Sequence, residues 1–205
     1  MPAAFDQVSW YGRGPFETYP DRKSSARVGL YSGSVDEQHF PYIMAQENGN
    51  KTDVRWVAVT NTDGLGLLAI SDSVFSVNVH NYTDAALLAA KKPGTPLVKD
   101  SVTVVNLDLK QMGLGGDDSW SPRVHAPYQI PAQVYSYSFR LKPIDTAGDI
   151  PAVVHTSLPL IAQTMSPGVG GEALPADEVE EEAVVSPKPA ANRPPVKKKT
   201  YTKRR

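Results

Sequence analysis

The sequence predicts an all-β fold, an antiparallel sandwich that spans about residues 8–144 and is followed by a tail. Short segments alternate apolar and polar residues, clusters of Gly, Asn and Asp separate these segments, and helix signals are scarce. Alternation with a period of two is typical of strands with one buried face, and frequent turn signals between short strands favour a sandwich.

Two predicted strands flank the turn sequence NTDG at residues 61–64. The first, residues 52–60, predicts one strongly apolar face and one mixed face, formed respectively by Val54, Trp56 and Ala58 and by Arg55, Val57 and Val59. Residues 65–70 are apolar on both faces and indicate a central strand, and residues 75–80 alternate. We expect these last two segments to be successive strands of a meander.

One helix interrupts the strands. Thr83 is a suitable N-cap for residues 84–90, Lys91 and Lys92 lie where the helix dipole favours cations, and the Pro-Gly pair at 93–94 ends the helix. After it, residues 103–109 and 135–141 alternate and are predicted to be strands.

The last part of the chain has a different composition. It is rich in proline, carries an acidic run at residues 177–182 and ends in two basic clusters, at 197–199 and 203–205. Such a segment buries too little apolar surface to offset chain entropy. We therefore expect a folded domain at residues 1–147 and a disordered tail at 148–205. The basic end could recruit nucleic acid or an import receptor, but the acidic run competes for those charges, so nucleic-acid binding is not expected.

Several classes of chemistry are excluded. The 205 residues contain no cysteine, which removes disulfides and thiolate chemistry. The four histidines lack metal-ligand spacing, so no metal site is expected. The glycine run at 113–116 resembles a phosphate-binding loop, but Asp118 stands where the third glycine belongs and would repel phosphate. With neither a leader nor a membrane span visible, we expect a cytoplasmic protein, although a missing N-terminus would hide a leader.

The most informative segment is MGLGGDDSWSP at residues 112–122. Gly115 and Gly116 permit backbone conformations with positive φ and Pro122 restrains its neighbour, so the loop is suited to holding Trp120 in one place. An indole held in this way fits two roles, stacking on a sugar ring or plugging the end of the sandwich. Asp117 and Asp118 are expected to accept hydrogen bonds from local backbone donors and not to act in catalysis.

Four stretches together resemble a known family. They are WYGRGPFETYPDR at residues 10–22, PYIMAQENG at 41–49, GGDDSWSP at 115–122 and YSYSFRL at 135–141. In order and spacing they are similar to the C-terminal domain, domain 5 or small-chain type, of bacterial-type β-galactosidases of glycoside hydrolase family 2. The resemblance covers residues 8–142.

This resemblance implies part of a β-supersandwich of the galactose mutarotase-like kind, packed beside a catalytic barrel that is not encoded here. The retaining pair of glutamates and the magnesium and sodium sites of the family belong to those other domains. No residue of this chain therefore inherits a catalytic role, and the chain alone is expected to be inactive.

One functional position carries over from the family. In that family the tryptophan of the GGDDSW run contacts the bound galactoside, and the matching residue of this sequence is Trp120. Gly115, Gly116, Asp117, Asp118, Ser119 and Pro122 are assigned to holding the loop in shape. The resemblance thus implies a C-terminal portion or small subunit of a β-galactosidase that acts on terminal β-D-galactosides such as lactose. Its partners would be the catalytic chain and the galactoside. The alternative is a free-standing carbohydrate-binding module.

Overall fold

The computed structural model describes residues 1–91, 95–121, 123–145 and 150–155. Its regular elements are β1 (Gln7–Gly14), β2 (Arg27–Ser34), β3 (Lys51–Thr60), β4 (Leu65–His80), α1 (Asp84–Ala89), β5 (Val104–Asp108), β6 (Phe139–Asp145) and α2 (Ile150–His155). Within these ranges the six strands form one antiparallel sheet in the order β2-β1-β3-β4-β5, with β6 also paired to β4. The predicted all-β class is confirmed.

Strand β3 lies at the predicted place, but its faces differ from the prediction. The register against β4 shifts on both sides of Val54, and such an irregularity moves a side chain to the opposite face. Val54 therefore packs with Val57 and Val59 in the larger core cluster, which also contains Trp10. Trp56 packs on the other face, so the expectation that Val54 and Trp56 share a face was wrong.

Strand β4 runs without a break from Leu65 to His80. The meander expected between residues 65–70 and 75–80 was wrong, because the intervening SDSV sequence stays extended although Ser and Asp are common in turns. The two halves pair with different strands. Leu65 to Ser71 lie opposite β6, and Ser76 to His80 lie opposite β5. Strand β4 thus pairs with three other strands of the sheet, namely β3, β5 and β6.

The last strand begins later than predicted. Residues 135–138 are not in β6, which pairs with β4 only from Phe139 onward. Instead, the hydroxyls of Tyr135 and Tyr137 donate hydrogen bonds to the carbonyls of Pro131 and Leu107, at 2.7 and 2.9 Å. The alternating tyrosines at 135 and 137 thus make side-chain hydrogen bonds and are not part of a strand.

The predicted helix is confirmed as α1, and the Thr83 hydroxyl accepts a hydrogen bond from the Ala86 amide at 3.1 Å. The predicted turn at residues 61–64 is also present, with Gly64 at φ +85°. Neither α1 nor α2 is long and apolar enough to cross a membrane, and the same holds for every other helix in the part of the chain described.

A second helix lies where the tail was expected to begin. In α2, Ile150, Val153 and Val154 pack against the sheet cluster that contains Trp56 and Leu68. Disorder from residue 148 onward is thus wrong for residues 150–155, because three apolar residues in six find a sheet face to cover. Residues 156–205, with the acidic run and the basic end, lie outside the described residues.

Candidate functional site

The loop that carries Trp120 follows β5. We call residues 112–121 the Trp120 loop. Trp120 is 93% exposed, whereas Trp10 and Trp56 are 3% and 7% exposed. An indole that plugged the end of the sheet would be buried, so that alternative is wrong. The largest apolar side chain of the loop instead faces solvent, and its rings are free to contact a ligand.

Asp118 holds the tip of the loop in a tight turn. Its Oδ1 accepts hydrogen bonds from the backbone amides of Trp120 and Ser121, at 2.7 and 2.6 Å. Its Oδ2 accepts a third from the Ser121 hydroxyl at 3.1 Å. The amide of Trp120, then that of Ser121, lowers the pKa of this carboxyl below its ordinary value because both favour the charged form. The Asp118 carboxylate thus fixes the backbone directly beneath the indole.

Two of the three glycines of the loop, Gly115 and Gly116, have the positive φ that the sequence suggested. Gly115 has φ +70°, and a Cβ atom there would lie 2.3 Å from the carbonyl oxygen of Arg123. Gly116 has φ +96°, but a Cβ there would meet nothing within 4 Å. Gly115 is therefore required by both conformation and space, and Gly116 by conformation alone. Pro122, assigned to the same role, lies outside the described residues.

Two other polar residues of the loop, Asp117 and Ser119, are exposed. The Asp117 carboxylate lies 2.5 Å from Nε2 of His125, and both side chains are more than half exposed. Ser119 is exposed, and within the described ranges its side chain makes no hydrogen bond. Asp117 thus ties the loop to the segment that follows it, whereas the structure gives no contact by which the Ser119 side chain would support it.

A residue that the sequence reasoning missed fixes the start of the loop. Asp21, between β1 and β2, accepts hydrogen bonds from the amides of Leu114 and Gly115, at 3.0 and 2.8 Å. Gly113 lies against the same carboxylate, because a Cβ atom at Gly113 would be 2.6 Å from Asp21 Oδ2. The signal was visible as YPDR at residues 19–22, but its partner is more than ninety positions away.

The stretch of residues 10–22, which contains Asp21, also makes hydrogen bonds with residues 41–49. The amide of Gly49 donates to Oε2 of buried Glu17 at 2.9 Å, and the Tyr19 hydroxyl donates to Oε2 of Glu47 at 2.5 Å. Burial raises the pKa of Glu47, and burial together with Glu47 raises the pKa of Tyr19. The three motifs at 10–22, 41–49 and 115–122 are thus linked by hydrogen bonds that begin in one short segment.

In the part of the chain that the structure describes, the carboxyl groups of the Trp120 loop do not form a catalytic pair. Both oxygens of Asp118 are engaged in its own turn, and Asp117 faces His125. Among the described residues, no group of three or more His, Asp or Glu side chains is arranged to hold a metal ion. The arrangement is suited to presenting an aromatic surface.

The sequence is similar to one protein family and to several curated proteins. The family model described as "Beta galactosidase small chain" matches residues 1–141. The β-galactosidase of Priestia megaterium is 46% identical over 145 residues, which are 70% of this chain and 14% of that protein. The β-galactosidase of Vibrio cholerae is 41% identical over 142 residues, 69% of this chain and 13% of that protein.

The match includes the Trp120 loop and the segments that Asp21 and Glu17 connect to it. It ends before α2. The chain spans about one seventh of the length of the curated relatives that it matches. On the family match and on these identities, the chain belongs to the β-galactosidase small-chain family.

Proposed function

We propose that this chain is the non-catalytic C-terminal portion or small subunit of a β-galactosidase and that Trp120 stacks on the bound galactoside. The observation that carries the proposal is the 93% exposure of Trp120 on a loop fixed at its start by Asp21 and at its tip by Asp118. Family membership supports the reaction class, and the exposed indole supports sugar contact.

The physical basis is the apolar face of a pyranose ring. An aromatic ring that covers this face removes apolar surface from water, and a well-placed aromatic contact contributes about 0.5–1.5 kcal/mol beyond the area buried. The hydrogen bonds of Asp118 and Asp21 hold the loop before ligand arrives. Because an ordered loop loses little entropy on binding, more of the stacking energy remains as affinity.

The hydrolytic chemistry belongs to a partner in this proposal. A retaining glycosidase needs two carboxyl groups about 5–5.5 Å apart on either side of the scissile bond. Asp117 and Asp118 are instead engaged in loop contacts. The acid, the nucleophile and the magnesium and sodium ions of the family would come from the catalytic chain or domains. Lactose is a β-galactoside and falls within the proposed substrate class, and we place this reaction in the cytoplasm.

The test combines the full chain with a complementary β-galactosidase catalytic chain. Trp120→Ala should raise the KM for galactosides about tenfold, since about 1.4 kcal/mol of binding corresponds to a factor of ten. Trp120→Phe keeps part of the aromatic surface and should fall between Ala and the parent chain. Phe139→Ala removes a partly exposed aromatic of the sheet and is the matched control. An unchanged KM and unchanged turnover in Trp120→Ala would contradict the proposal.

The dependence on a partner is tested by the chain alone. Purified without a catalytic chain, it should hydrolyse no galactoside, because the described residues place no carboxyl pair at Trp120. Turnover that persists through several columns, in fractions that contain no second chain, would show that the catalytic groups are its own.

The second candidate is a free-standing carbohydrate-binding module. An exposed indole on a rigid loop favours it, since stacking requires no chemistry from this chain. Glycan-array binding by the lone chain, lost in Trp120→Ala, would support the module. Binding seen only after the catalytic chain is added would support the subunit.

A further inference from the structure

One edge of the sheet ends in a strand with a neighbour on one side only. Strand β2 stands first in the order β2-β1-β3-β4-β5, and in the ranges that the structure describes it pairs with β1 alone. An edge strand offers backbone N–H and C=O groups to any further strand, and natural proteins protect such edges with charged residues, proline or a covering segment. The protection of each edge therefore indicates where another strand can add.

The opposite side of the sheet is protected, and β2 is not. Strand β6 has the sequence FRLKPID, with three charged residues and one proline. Strand β5 is partly covered, because the Tyr137 hydroxyl donates a hydrogen bond to its Leu107 carbonyl at 2.9 Å. Strand β2 has the sequence RVGLYSGS, in which Arg27 at the start is the single charged residue and proline is absent.

Hydrogen bonds at the end of β2 show which of its backbone groups face outward. The amide of Val35, just after the strand, donates to the carbonyl of Asp6 at 2.7 Å, so odd positions face β1. The Ser34 amide instead donates to Oε2 of Glu37 at 2.8 Å, and the Ser34 carbonyl accepts from Nε2 of Gln38 at 2.9 Å. Residues of an antiparallel pair face the partner strand and face away from it in turn. The even positions of β2 therefore face away from β1.

The chain itself closes the outward edge at both ends. Glu37 and Gln38 occupy the backbone groups of Ser34, as described above. Before the strand, the Ala26 amide donates to the carbonyl of Lys23 at 3.1 Å. The Ala26 carbonyl accepts a hydrogen bond from Nη1 of Arg13 at 2.8 Å. A further strand can therefore add only between these two positions.

Three outward positions remain open between the closed ends, namely Val28, Leu30 and Ser32. Their backbone N–H and C=O groups face away from β1 and make no hydrogen bond with any residue that the structure describes. Leu30 is 68% exposed, and the other two residues are exposed as well, so the edge is accessible. The open stretch is symmetric about Leu30, as pairing with an identical strand around a two-fold axis requires.

A second copy of this chain fits the open stretch. In an antiparallel pair with a two-fold axis at Leu30, that residue lies opposite its own copy, and Val28 lies opposite Ser32 of the other chain. Each of the three outward residues then exchanges two backbone hydrogen bonds with the residue opposite, which gives about six bonds. The two Leu30 side chains lie side by side on one face and cover apolar surface.

The charges at the ends of the stretch are complementary in this arrangement. Arg27 lies opposite Gly33 of the second copy, and both are odd positions, so their side chains would share one face. A Cβ atom at Gly33 would be 2.9 Å from Oε2 of Glu37, which places that carboxylate beside the glycine. Arg27 of each chain thus approaches Glu37 of the other. Neither residue forms a salt bridge within the described ranges.

We propose that β2 pairs with β2 of a second copy of this chain, antiparallel and centred on Leu30, and so joins two sheets into one. Each chain uses its single open edge, so the assembly closes as a dimer. A contact of about five residues a side is small compared with the roughly 20–30 residues of a stable interface, so association is reversible. The proposal does not depend on the function proposed for Trp120.

The first experiment measures mass and hydrogen exchange of the full 205-residue chain against concentration. In sedimentation equilibrium from about 5 to 500 μM, the mass should rise from that of one chain towards that of two and stop there. The amides of Val28, Leu30 and Ser32 should exchange about tenfold more slowly at the highest concentration. The amides of Gly29 and Tyr31 already face β1 and should exchange at the same rate throughout.

A charge at the centre of the edge should prevent pairing. Leu30→Lys places two like charges opposite each other across the axis and should weaken dimerisation at least about tenfold. Leu141→Lys on β6 replaces a leucine that is 54% exposed and is the matched control, which should stay within about twofold of the parent chain. Arg27→Glu brings two carboxylates together at each end and should weaken dimerisation about threefold.

A backbone variant separates edge pairing from contact between side chains. Ser32→Pro removes an outward N–H group, which proline at a sheet edge tolerates, and should weaken dimerisation about tenfold. Ser32→Ala keeps that N–H group and should dimerise as the parent chain does. If Ser32→Pro does not fold, as judged by circular dichroism, Leu30→Lys and the exchange of the three outward amides decide the matter.

Four results would overturn the inference. The first is a chain that stays monomeric over the whole range, and the second is growth beyond two chains. The third is a dimer that persists in Leu30→Lys or in folded Ser32→Pro, which would place the contact elsewhere. The fourth is protection of the outward amides only after a catalytic chain is added, which would assign this edge to that partner. None of these results bears on the contact between Trp120 and a galactoside.

Discussion

The carboxylate of Asp21 accepts a hydrogen bond from the backbone amide of Gly115 at 2.8 Å, across 94 positions of sequence. A second bond from Leu114 to the same carboxylate makes the contact bidentate. Through it, the connection between β1 and β2 determines where the Trp120 loop begins. The position of the exposed indole thus depends on a residue in a different motif.

Asp21→Asn should loosen the loop without unfolding the sheet. The amide that replaces one carboxylate oxygen cannot accept a hydrogen bond, so one of the two bonds is lost. Bonds to charged groups contribute about 1.5–3 kcal/mol, and because Asp21 is partly exposed we expect about 1 kcal/mol. Hydrogen exchange at Leu114 and Gly115 should quicken about fivefold. Asp6→Asn is the control, and equal exchange in both variants would contradict the role of Asp21.

Gly115 and Gly116 should respond differently to alanine. Gly116→Ala introduces only the strain of a positive φ, about 1 kcal/mol. Gly115→Ala adds a clash with the Arg123 carbonyl and should cost about 2–3 kcal/mol of loop stability. Hydrogen exchange across the loop measures both variants. Equal protection in the two variants would show that the approach of Gly115 to Arg123 is not tight in solution.

Trp120→Ala should leave the fold as stable as before. Because the side chain is 93% exposed, its removal should change the free energy of unfolding by less than about 0.5 kcal/mol. Trp56→Ala is the matched comparison and should cost about 3–5 kcal/mol, since that ring is buried under α2. Urea unfolding measures both. A large loss in Trp120→Ala would mean that the indole packs against the domain.

Acid should release the turn beneath the indole. The pKa of Asp118 is lowered by the amides of Trp120 and Ser121. Its contribution to the stability of the turn is therefore fully present above pH 3.8, the ordinary pKa of the carboxyl group. It is lost as the pH falls through the lower value in the folded protein. The amide resonances of Trp120 and Ser121 should therefore be constant from pH 7 to 5 and shift only below about pH 4. A transition above pH 5 would contradict this assignment.

The periodic parts of the fold could be predicted from the sequence. Strands β3 and β5, helix α1 and the turn before Gly64 follow from local alternation, a capping threonine and turn residues. The continuity of β4 could not be predicted, because a polar SDSV segment in an extended strand looks the same as a loop. The irregularity around Val54 also has no local signature, yet it changes which side chains share a face.

In the candidate site, too, the local features could be predicted from the sequence and the contacts between distant segments could not. Trp120, the glycines and Asp118 stand in one short motif, and their geometry follows from turn chemistry. The Asp21 contact with Gly115 and the Glu17 contact with Gly49 join segments that are distant in sequence. Such contacts arise from the pairing of β1 with β3 and from the course of the long connections. Neither leaves a periodic pattern in the sequence.

The most direct test of the account follows Trp120 by fluorine NMR. The chain is labelled with 5-fluorotryptophan and combined with an unlabelled catalytic chain, so that its three tryptophans give three resonances. Trp120→Phe identifies the resonance of the exposed indole. We expect a galactoside to shift this resonance in a saturable manner and to leave those of buried Trp10 and Trp56 in place. An unshifted Trp120 resonance at galactoside concentrations that saturate turnover would contradict it.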